Sequence, residues 1–181
     1  NIYLNELHER NHTLFYQVIQ RYIETMLPII YTPTIGDAVK NFSQQYRSNR
    51  GLYLSYEQKD DLDIIILNHL TDHIKMGIGD WGVGGMDIAI GKMMVYVACS
   101  RINPAHVLPI VVDVGTNNED LLDHPNYIGA RHKRITGKPY DQFIDDVVKT
   151  ILKKNPSTFV HFEDFGRKNA RRILDRYQSD L

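Results

Sequence analysis

Lys92 lies in a long apolar stretch that follows a glycine-rich segment, and it is the first residue of the chain with evident chemical potential. Residues 77–85 include five glycines, which permit tight turns and a close approach of the backbone to a ligand. In residues 86–99 the only formal charges are Asp87 and Lys92, which on a helix lie about 140° apart. A lysine in such surroundings extends its amine to water, pairs with an acid, or has a shifted pKa. Lys92 is therefore a candidate for proton transfer, with an ordinary solvent-reaching lysine as the alternative.

Glu163 and Asp164 form a pair of adjacent acids directly after a β-prone segment, residues 158–162. Neighbouring carboxylates repel each other unless a cation neutralises them, and carboxylate oxygens are the ligands that Mg²⁺ and Mn²⁺ prefer. The alternative is an exposed acidic pair at the beginning of a helix, which the helix dipole favours. From these residues alone both interpretations stay open.

Tyr31 stands where one element ends and a loop begins. Pro28 is expected to end the preceding helix, while Pro33 and Gly36 indicate a turn on the other side. Functional side chains are often found in such places. A tyrosine packed under a proline turn explains the pattern equally well.

Residues 77–82 also satisfy the dinucleotide fingerprint G-x-G-x-x-G. That motif requires a preceding buried strand and an acid about 20 residues further on. Residues 71–76 are a poor candidate for a buried strand, and the residue at the expected acidic position is Ile102, with Asp113 the next acid. We therefore expect no cofactor-binding residues for a nicotinamide cofactor in this segment.

The periodicity of apolar residues predicts an α/β domain, with an open parallel or mixed sheet flanked by helices and with a helical N-terminal arm over residues 1–27. The arm is expected to break near residues 11–13, with Thr13 as the cap of its second helix. Strands are predicted over residues 51–56, 107–114 and 158–162, and helices over 60–69, 86–99, 140–153 and from 166 onward. Residues 107–114 are apolar on both faces, which is typical of a central strand covered on both sides.

Composition narrows the class of protein. The chain has 181 residues, which suits one α/β domain, and its 21 basic and 22 acidic side chains give no electrostatic case for a nucleic-acid partner. It has no uncharged apolar run of about 18 residues, so no membrane span is expected. The single cysteine, Cys99, is predicted to be a buried thiol, which suits a reducing cytoplasm.

Several motifs together resemble the malic enzyme and malolactic enzyme family. They occur in the order of that family and cover most of the chain: Tyr31-Thr-Pro-Thr, Gly77-Ile-Gly-Asp, Gly91-Lys92, Asp113-Val-Gly-Thr-Asn-Asn, Tyr127-Ile-Gly and Glu163-Asp164-Phe165. Trp81 and residues 165–170 look more like the malolactic branch.

The resemblance implies L-malate as the substrate and assigns roles to four residues. Lys92 would take the proton of the C2 hydroxyl as hydride leaves to NAD, and Tyr31 would protonate the resulting enol at C3. Glu163 and Asp164 would bind Mg²⁺ or Mn²⁺, which polarises the C2 oxygen and stabilises the enolate left after loss of CO₂.

The same resemblance implies that residues 1–181 form one N-terminal-type domain, followed in the family by an NAD-binding domain. Three departures are evident. The third metal ligand of the family, an aspartate, would lie beyond Asp180. The malate-binding arginine of the family aligns near Ile74, where no arginine is present. The interval between Gly51 and Gly77 is about ten residues shorter than in the family. The missing residues would form an apolar core strand, and we expect the gap at residues 70–71.

Three functions follow from these observations. The first is the substrate- and metal-binding domain of an NAD-dependent malic enzyme, which converts L-malate to pyruvate and CO₂ in a cytoplasmic homodimer or homotetramer. The second is a malolactic enzyme, which yields L-lactate and CO₂ with NAD retained. The third is a non-catalytic domain for oligomerisation or sensing, against which the joint presence of Tyr31, Lys92, Glu163 and Asp164 argues.

Overall fold

The computed structural model describes residues 2–42, 50–69 and 73–179, and within these ranges the strands form one sheet of four. The strands are β1 (Leu52–Ser55), β2 (His73–Ile78), β3 (Val107–Asp113) and β4 (Phe159–Glu163), in the order β1-β3-β2-β4. All three pairings are parallel, so the sheet is parallel rather than mixed. The carboxyl ends of the strands therefore meet at one edge, where open α/β sheets place their ligands.

Helices cover both faces of this sheet and form the N-terminal arm. They are α1 (Ile2–Arg10), α2 (His12–Arg21), α3 (Ile23–Ile30), α4 (Thr34–Lys40), α5 (Leu62–Leu67), α6 (Met86–Ser100), α7 (Glu119–Leu122), α8 (Lys138–Lys154) and α9 (Gly166–Tyr177). Short 3₁₀ turns span Tyr56–Asp61, Gly82–Gly85 and Pro104–His106. The α/β class predicted from the sequence is confirmed.

The central strand β3 shows why the sheet is buried on both sides. Ile110 and Val112 belong to the main core, which α5, α8 and α9 complete on one face of the sheet. Val111 points to the other face and packs against Met86 and Ala89 of α6. The prediction of a doubly covered strand over 107–114 is confirmed, because its successive side chains alternate between two packed layers.

The prediction for residues 71–76 is wrong, since His73–Ile78 is an interior strand paired with both β3 and β4. Residues 70–71, where a gap relative to the family was expected, lie outside the described residues. Ile74 and Met76 enter the main core, whereas Lys75 points to the α6 face and is itself buried. A strand therefore does precede the glycine segment, and only the missing acid argues against the dinucleotide fingerprint there.

The N-terminal arm has one helix more than predicted. The side chain of Asn11, rather than that of Thr13, caps α2 by accepting a hydrogen bond from the Leu14 amide at 3.0 Å. Helix α3 continues through Pro28 to Ile30, so the prediction that Pro28 ends the helix is wrong. The arm packs Phe15 and Ile19 against the outer side of α6.

Helix α6 lies between the sheet and the arm, which explains why it is apolar on nearly all sides. The segment Gly82–Ser100 has the length and hydropathy of a membrane span, yet it contains two charged side chains and about half of it is buried within this fold. Cys99 follows the last buried residues of the helix and is exposed. The prediction of a buried Cys99 is therefore wrong.

Candidate active site

Three of the four predicted site residues meet at the carboxyl end of β4. Glu163 is the last residue of that strand, and its Oε1 accepts a hydrogen bond from the Tyr31 hydroxyl at 3.3 Å. The Nζ of Lys92 lies 3.2 Å from the same oxygen. Residues separated by up to 132 positions in the chain thus share one carboxylate oxygen, in a partly exposed position at the sheet edge.

Gly91 brings Tyr31 and Lys92 together. A Cβ at this position would lie 2.9 Å from the carbonyl oxygen of Ile30 and 3.1 Å from the Tyr31 ring, so the end of α3 approaches α6 as closely as only glycine permits. As a result, the Lys92 ammonium lies 4.6 Å from the centre of the Tyr31 ring, within the range of a cation–π contact.

Lys75 is a second cation at Glu163 that sequence reasoning missed. Its side chain is only 1% exposed, and its Nζ forms an ion pair with Oε2 of Glu163. In the register between β2 and β4, Gly77 lies opposite Glu163, and a Cβ at Gly77 would meet nothing within 4 Å. The missing side chain leaves room above the carboxylate. The sequence did contain a sign of this site. Lys75 and Gly77 are two positions apart, and this spacing places both residues on one face of a strand.

Ile74, where the family's arginine aligns, is buried in the main core on the opposite face of the sheet. No side chain at that position reaches the site. The nearest residue in sequence that does so is Lys75, which supplies a positive charge from the next position of the strand.

The two lysines determine the charge state of Glu163. Burial by itself would raise the pKa of Glu163, but the hydrogen bonds and charges of Lys75 and Lys92 outweigh it, so the pKa is lowered. Burial likewise acts to lower the pKa of Lys92, but its hydrogen bonds to Tyr31 and Glu163 outweigh that effect and raise it. With Glu163 as its partner, Lys92 is held as an ammonium ion.

Asp164 follows β4 with a φ of 61°, in the left-handed region that aspartate and asparagine tolerate better than most residues. It borders a cavity of about 340 Å³ between the glycine segment and α6. Burial and the charge of Glu163 both raise the pKa of Asp164. Within the part of the chain that the structure describes, the Asp164 carboxylate has no hydrogen-bonding or ion-pairing partner. It is free to bind a ligand.

Glu163 and Asp164 fit part of a site for a hard divalent cation. Both offer carboxylate oxygens, and Asp164 is unpaired at the edge of the cavity. Among the described residues no third carboxylate, histidine or cysteine joins them in a metal-sized cluster. The ammonium group of Lys75 opposes a cation at Glu163, since it already contacts one oxygen of that carboxylate.

A second cavity, of about 370 Å³, lies between α8 and α9, away from these residues. The charged side chains that line it are already paired, Arg172 with Asp141 and Arg176 with Asp145. It has no cluster of unpaired acids, so it is the weaker candidate for a catalytic site.

Comparison with known proteins adds an independent observation. The family model described as the malic enzyme N-terminal domain matches residues 8–178. The chain is 49% identical to NAD-dependent malic enzyme 2 of Vibrio vulnificus, 46% identical to an NAD-dependent malic enzyme of Idiomarina loihiensis, and 49% identical to NAD-dependent malic enzyme 3 of Bacillus subtilis.

Each of these alignments covers all of this chain but 34% of the relative, so the chain spans about a third of the length of the curated relatives it matches. The alignments extend over 191 to 193 positions. At least ten positions of each relative therefore have no counterpart in this chain. The interval between Gly51 and Gly77 was predicted to be shorter than in the family by about this number of residues.

Proposed function

This chain belongs to the malic enzyme family, and we propose that it is the substrate- and metal-binding domain of an NAD-dependent malic enzyme that converts L-malate to pyruvate and CO₂. The observation that carries the proposal is the contact of Tyr31 and Lys92 with one oxygen of Glu163. A base, an acid and a metal-binding carboxylate in mutual contact suit a reaction that first removes a proton and later returns one.

Lys92 is proposed to accept the proton of the malate C2 hydroxyl while hydride leaves C2. Its ammonium form cannot accept a proton, and Glu163 stabilises that form. Lys92 therefore becomes a base only when Glu163 no longer pairs with it. Proton transfer is thus linked to the binding of a cation by the carboxylates of Glu163 and Asp164.

Tyr31 is proposed to donate its proton to C3 of the three-carbon enol that remains after CO₂ has left. Tyr31 and Lys92 contact the same oxygen of Glu163 and lie next to each other. The proton that Lys92 takes from the substrate can therefore pass to Tyr31 and restore its hydroxyl. The net reaction consumes malate and NAD⁺ and yields pyruvate, CO₂ and NADH.

Glu163 and Asp164 are proposed to bind Mg²⁺ or Mn²⁺, with a third ligand supplied from outside the described residues. When bound, such an ion supplies a Lewis acid that stabilises negative charge on the substrate oxygens. The relatives are about three times as long as this chain, which supports the proposal that an NAD-binding domain follows it in the full-length protein.

The arm of residues 1–27 is proposed to take part in a homodimer or homotetramer in the cytoplasm. In this arm Tyr3, Leu14 and Tyr22 expose 76%, 45% and 51% of their surfaces. Sedimentation of the full-length protein tests this: Leu14→Asp should shift it toward smaller species, and an unchanged mass would contradict the role of the arm.

Incubation of the full-length protein with L-malate, NAD⁺ and Mn²⁺ tests the proposed reaction. We expect pyruvate and stoichiometric NADH, followed by absorbance at the nicotinamide band and by NMR of the products. Lactate without free NADH would instead identify a malolactic enzyme, to which Trp81 and residues 165–170 point. If neither pyruvate nor lactate forms, the result would favour the non-catalytic alternative.

Lys92→Ala provides the matching control on mechanism. It should abolish turnover, whereas Lys153→Ala, at an exposed lysine near the end of α8, should not change it. Activity retained by Lys92→Ala would overturn the assignment of the base.

A further inference from the structure

A second contact joins α6 to β4 beside the ion pair of Lys92 and Glu163. Tyr96 follows Lys92 by four residues on α6, and His161 precedes Glu163 by two residues on β4. The Tyr96 hydroxyl lies against Nδ1 of His161, and the two rings stack with their centres 5.5 Å apart and their planes 18° from parallel. The function proposed above uses neither residue.

The spacing places the two contacts side by side. Residues four apart on a helix share a face, and residues two apart on a strand share a face. Four helical residues rise by about 6 Å and two strand residues by about 6.6 Å, so the steps along α6 and along β4 are nearly equal. A slide or rotation of α6 relative to β4 that separates Tyr96 from His161 would therefore also displace Lys92 from Glu163.

The apolar packing of α6 is partly adaptable. The buried side of the helix includes Met86, Met93 and Met94, and methionine side chains adapt to several arrangements of their neighbours. Apolar contacts of this kind are non-directional. A hydroxyl against a ring nitrogen is directional, so it specifies one position of the helix.

We propose that Tyr96 and His161 are positioning residues, which hold α6 in the register that keeps Lys92 at Glu163. The proposal rests on the proposed function, since it concerns the placement of the proposed base. Neither side chain is assigned contact with the substrate. Their effect on the reaction passes through the backbone of α6, because Lys92 and Tyr96 are one helical turn apart.

The full-length protein with Tyr96→Phe tests the proposal, because this change keeps the ring and removes only the hydroxyl. Loss of register should reduce kcat about 10- to 100-fold, as displacements near 1 Å do at other active sites. The KM for malate and the affinity for Mn²⁺ should change much less, since Glu163 and Asp164 stay in place at the end of β4. Tyr56→Phe, at a tyrosine that packs against Phe143 in the main core on the other face of the sheet, is the matched control and should leave kcat unchanged.

Substitutions of His161 provide the second arm of the test. His161→Gln keeps an acceptor for the hydroxyl and should retain more of kcat than His161→Leu. Combined with Tyr96→Phe, His161→Leu should cost no more than the more severe single change, because both remove the same contact. If His161→Leu fails to fold, Tyr96→Phe and His161→Gln still decide the outcome.

Several results would overturn the proposal. A kcat of Tyr96→Phe within twofold of the unchanged protein would do so, as would strictly additive losses in the double variant. Equal losses for His161→Gln and His161→Leu would show that the ring only fills space. If Lys92→Ala abolishes turnover while Tyr96→Phe does not alter it, the positioning role alone is wrong. If Lys92→Ala stays active, the proposed function fails, and the positioning role fails with it.

Discussion

The hydroxyl of Tyr31 donates a hydrogen bond to Oε1 of Glu163 at 3.3 Å, although 132 residues separate them. Tyr31 caps the end of α3, and Glu163 ends the last strand of the sheet. Gly91 allows α3 to reach this position, because a side chain there would collide with the Ile30 carbonyl. The proposed acid and the proposed metal ligand are thus in direct contact, so each should affect the other's chemistry.

Tyr31→Phe in the full-length protein should separate the two halves of the reaction. Loss of the hydroxyl removes the proposed proton donor to C3 but leaves Lys92 and the carboxylates in place. We expect kcat to fall by about 10²-fold or more. The step after hydride transfer should then limit the rate, so the isotope effect from deuterium at malate C2 should approach unity. An unchanged kcat with an undiminished isotope effect would contradict the acid role.

Asp164→Asn should weaken metal binding while it preserves the fold. Asparagine tolerates the left-handed φ of 61° as well as aspartate does, so only the charge is lost. The dissociation constant for Mn²⁺, measured by electron paramagnetic resonance, should rise about 10-fold or more, and turnover should fall with it. Asp123→Asn, at an exposed acid that follows α7, is the control. Equal Mn²⁺ affinity in both variants would show that Asp164 is not a ligand.

Lys75→Met should tighten Mn²⁺ binding. Methionine fits the buried space of the lysine stem without its charge, so the cation would no longer face an ammonium group at Oε2 of Glu163. We expect the affinity measured by calorimetry at neutral pH to rise severalfold, and Lys153→Met at an exposed lysine to change nothing. Weaker binding by Lys75→Met would indicate that Lys75 orients Glu163 rather than competing for it.

Asp145→Asn should reduce stability in a pH-dependent manner. Asp145 is buried on α8, where its carboxylate accepts hydrogen bonds from the Tyr177 hydroxyl at 2.6 Å and from Arg176 at 2.9 Å. Burial opposes ionisation, but hydrogen bonds from Lys149, Tyr177 and Arg176 outweigh it and lower the pKa of Asp145 from 3.8 to about 2.

A carboxyl with a lowered pKa in the folded protein stabilises it fully above pH 3.8, and this contribution is lost as the pH falls through about 2. At neutral pH we therefore expect Asp145→Asn to lower the free energy of unfolding by about 1–3 kcal/mol. Between pH 4 and 2 the Tm of the variant should fall less steeply than that of the unchanged chain. Asp146→Asn, one position further along the helix, is the control. Parallel Tm curves for Asp145→Asn and the unchanged chain would contradict the assignment.

The sequence predicted those elements whose signal is local. Residues 107–114 are apolar at nearly every position, which identifies a doubly covered strand without knowledge of its neighbours. Helix α6 was predicted in the same way. For Tyr31, Lys92, Glu163 and Asp164 the resemblance to a family supplied the roles, and the structure brings Tyr31 and Lys92 into contact with Glu163.

The errors arose where a distant residue decides the outcome. Strand β2 was missed because Lys75 is a poor residue for a buried strand until Glu163, 88 positions later, supplies its partner. Cys99 was misplaced because the apolar run of α6 continues beyond the residues that its neighbours cover. Tyr96 and His161 gave no signal, since neither is unusual for its own element.

The strand order β1-β3-β2-β4 has a consequence for the growing chain on the ribosome. Among the described residues β4 is the last strand of this sheet in the chain, and it pairs with β2, so β2 is an outer strand during synthesis until residues 159–163 have emerged. A charged side chain on an outer strand discourages pairing with other chains. Lys75 therefore lies on an outer strand of the nascent sheet until Glu163 arrives, and the contacts of Tyr31 and Lys92 with Glu163 form only when β4 has docked.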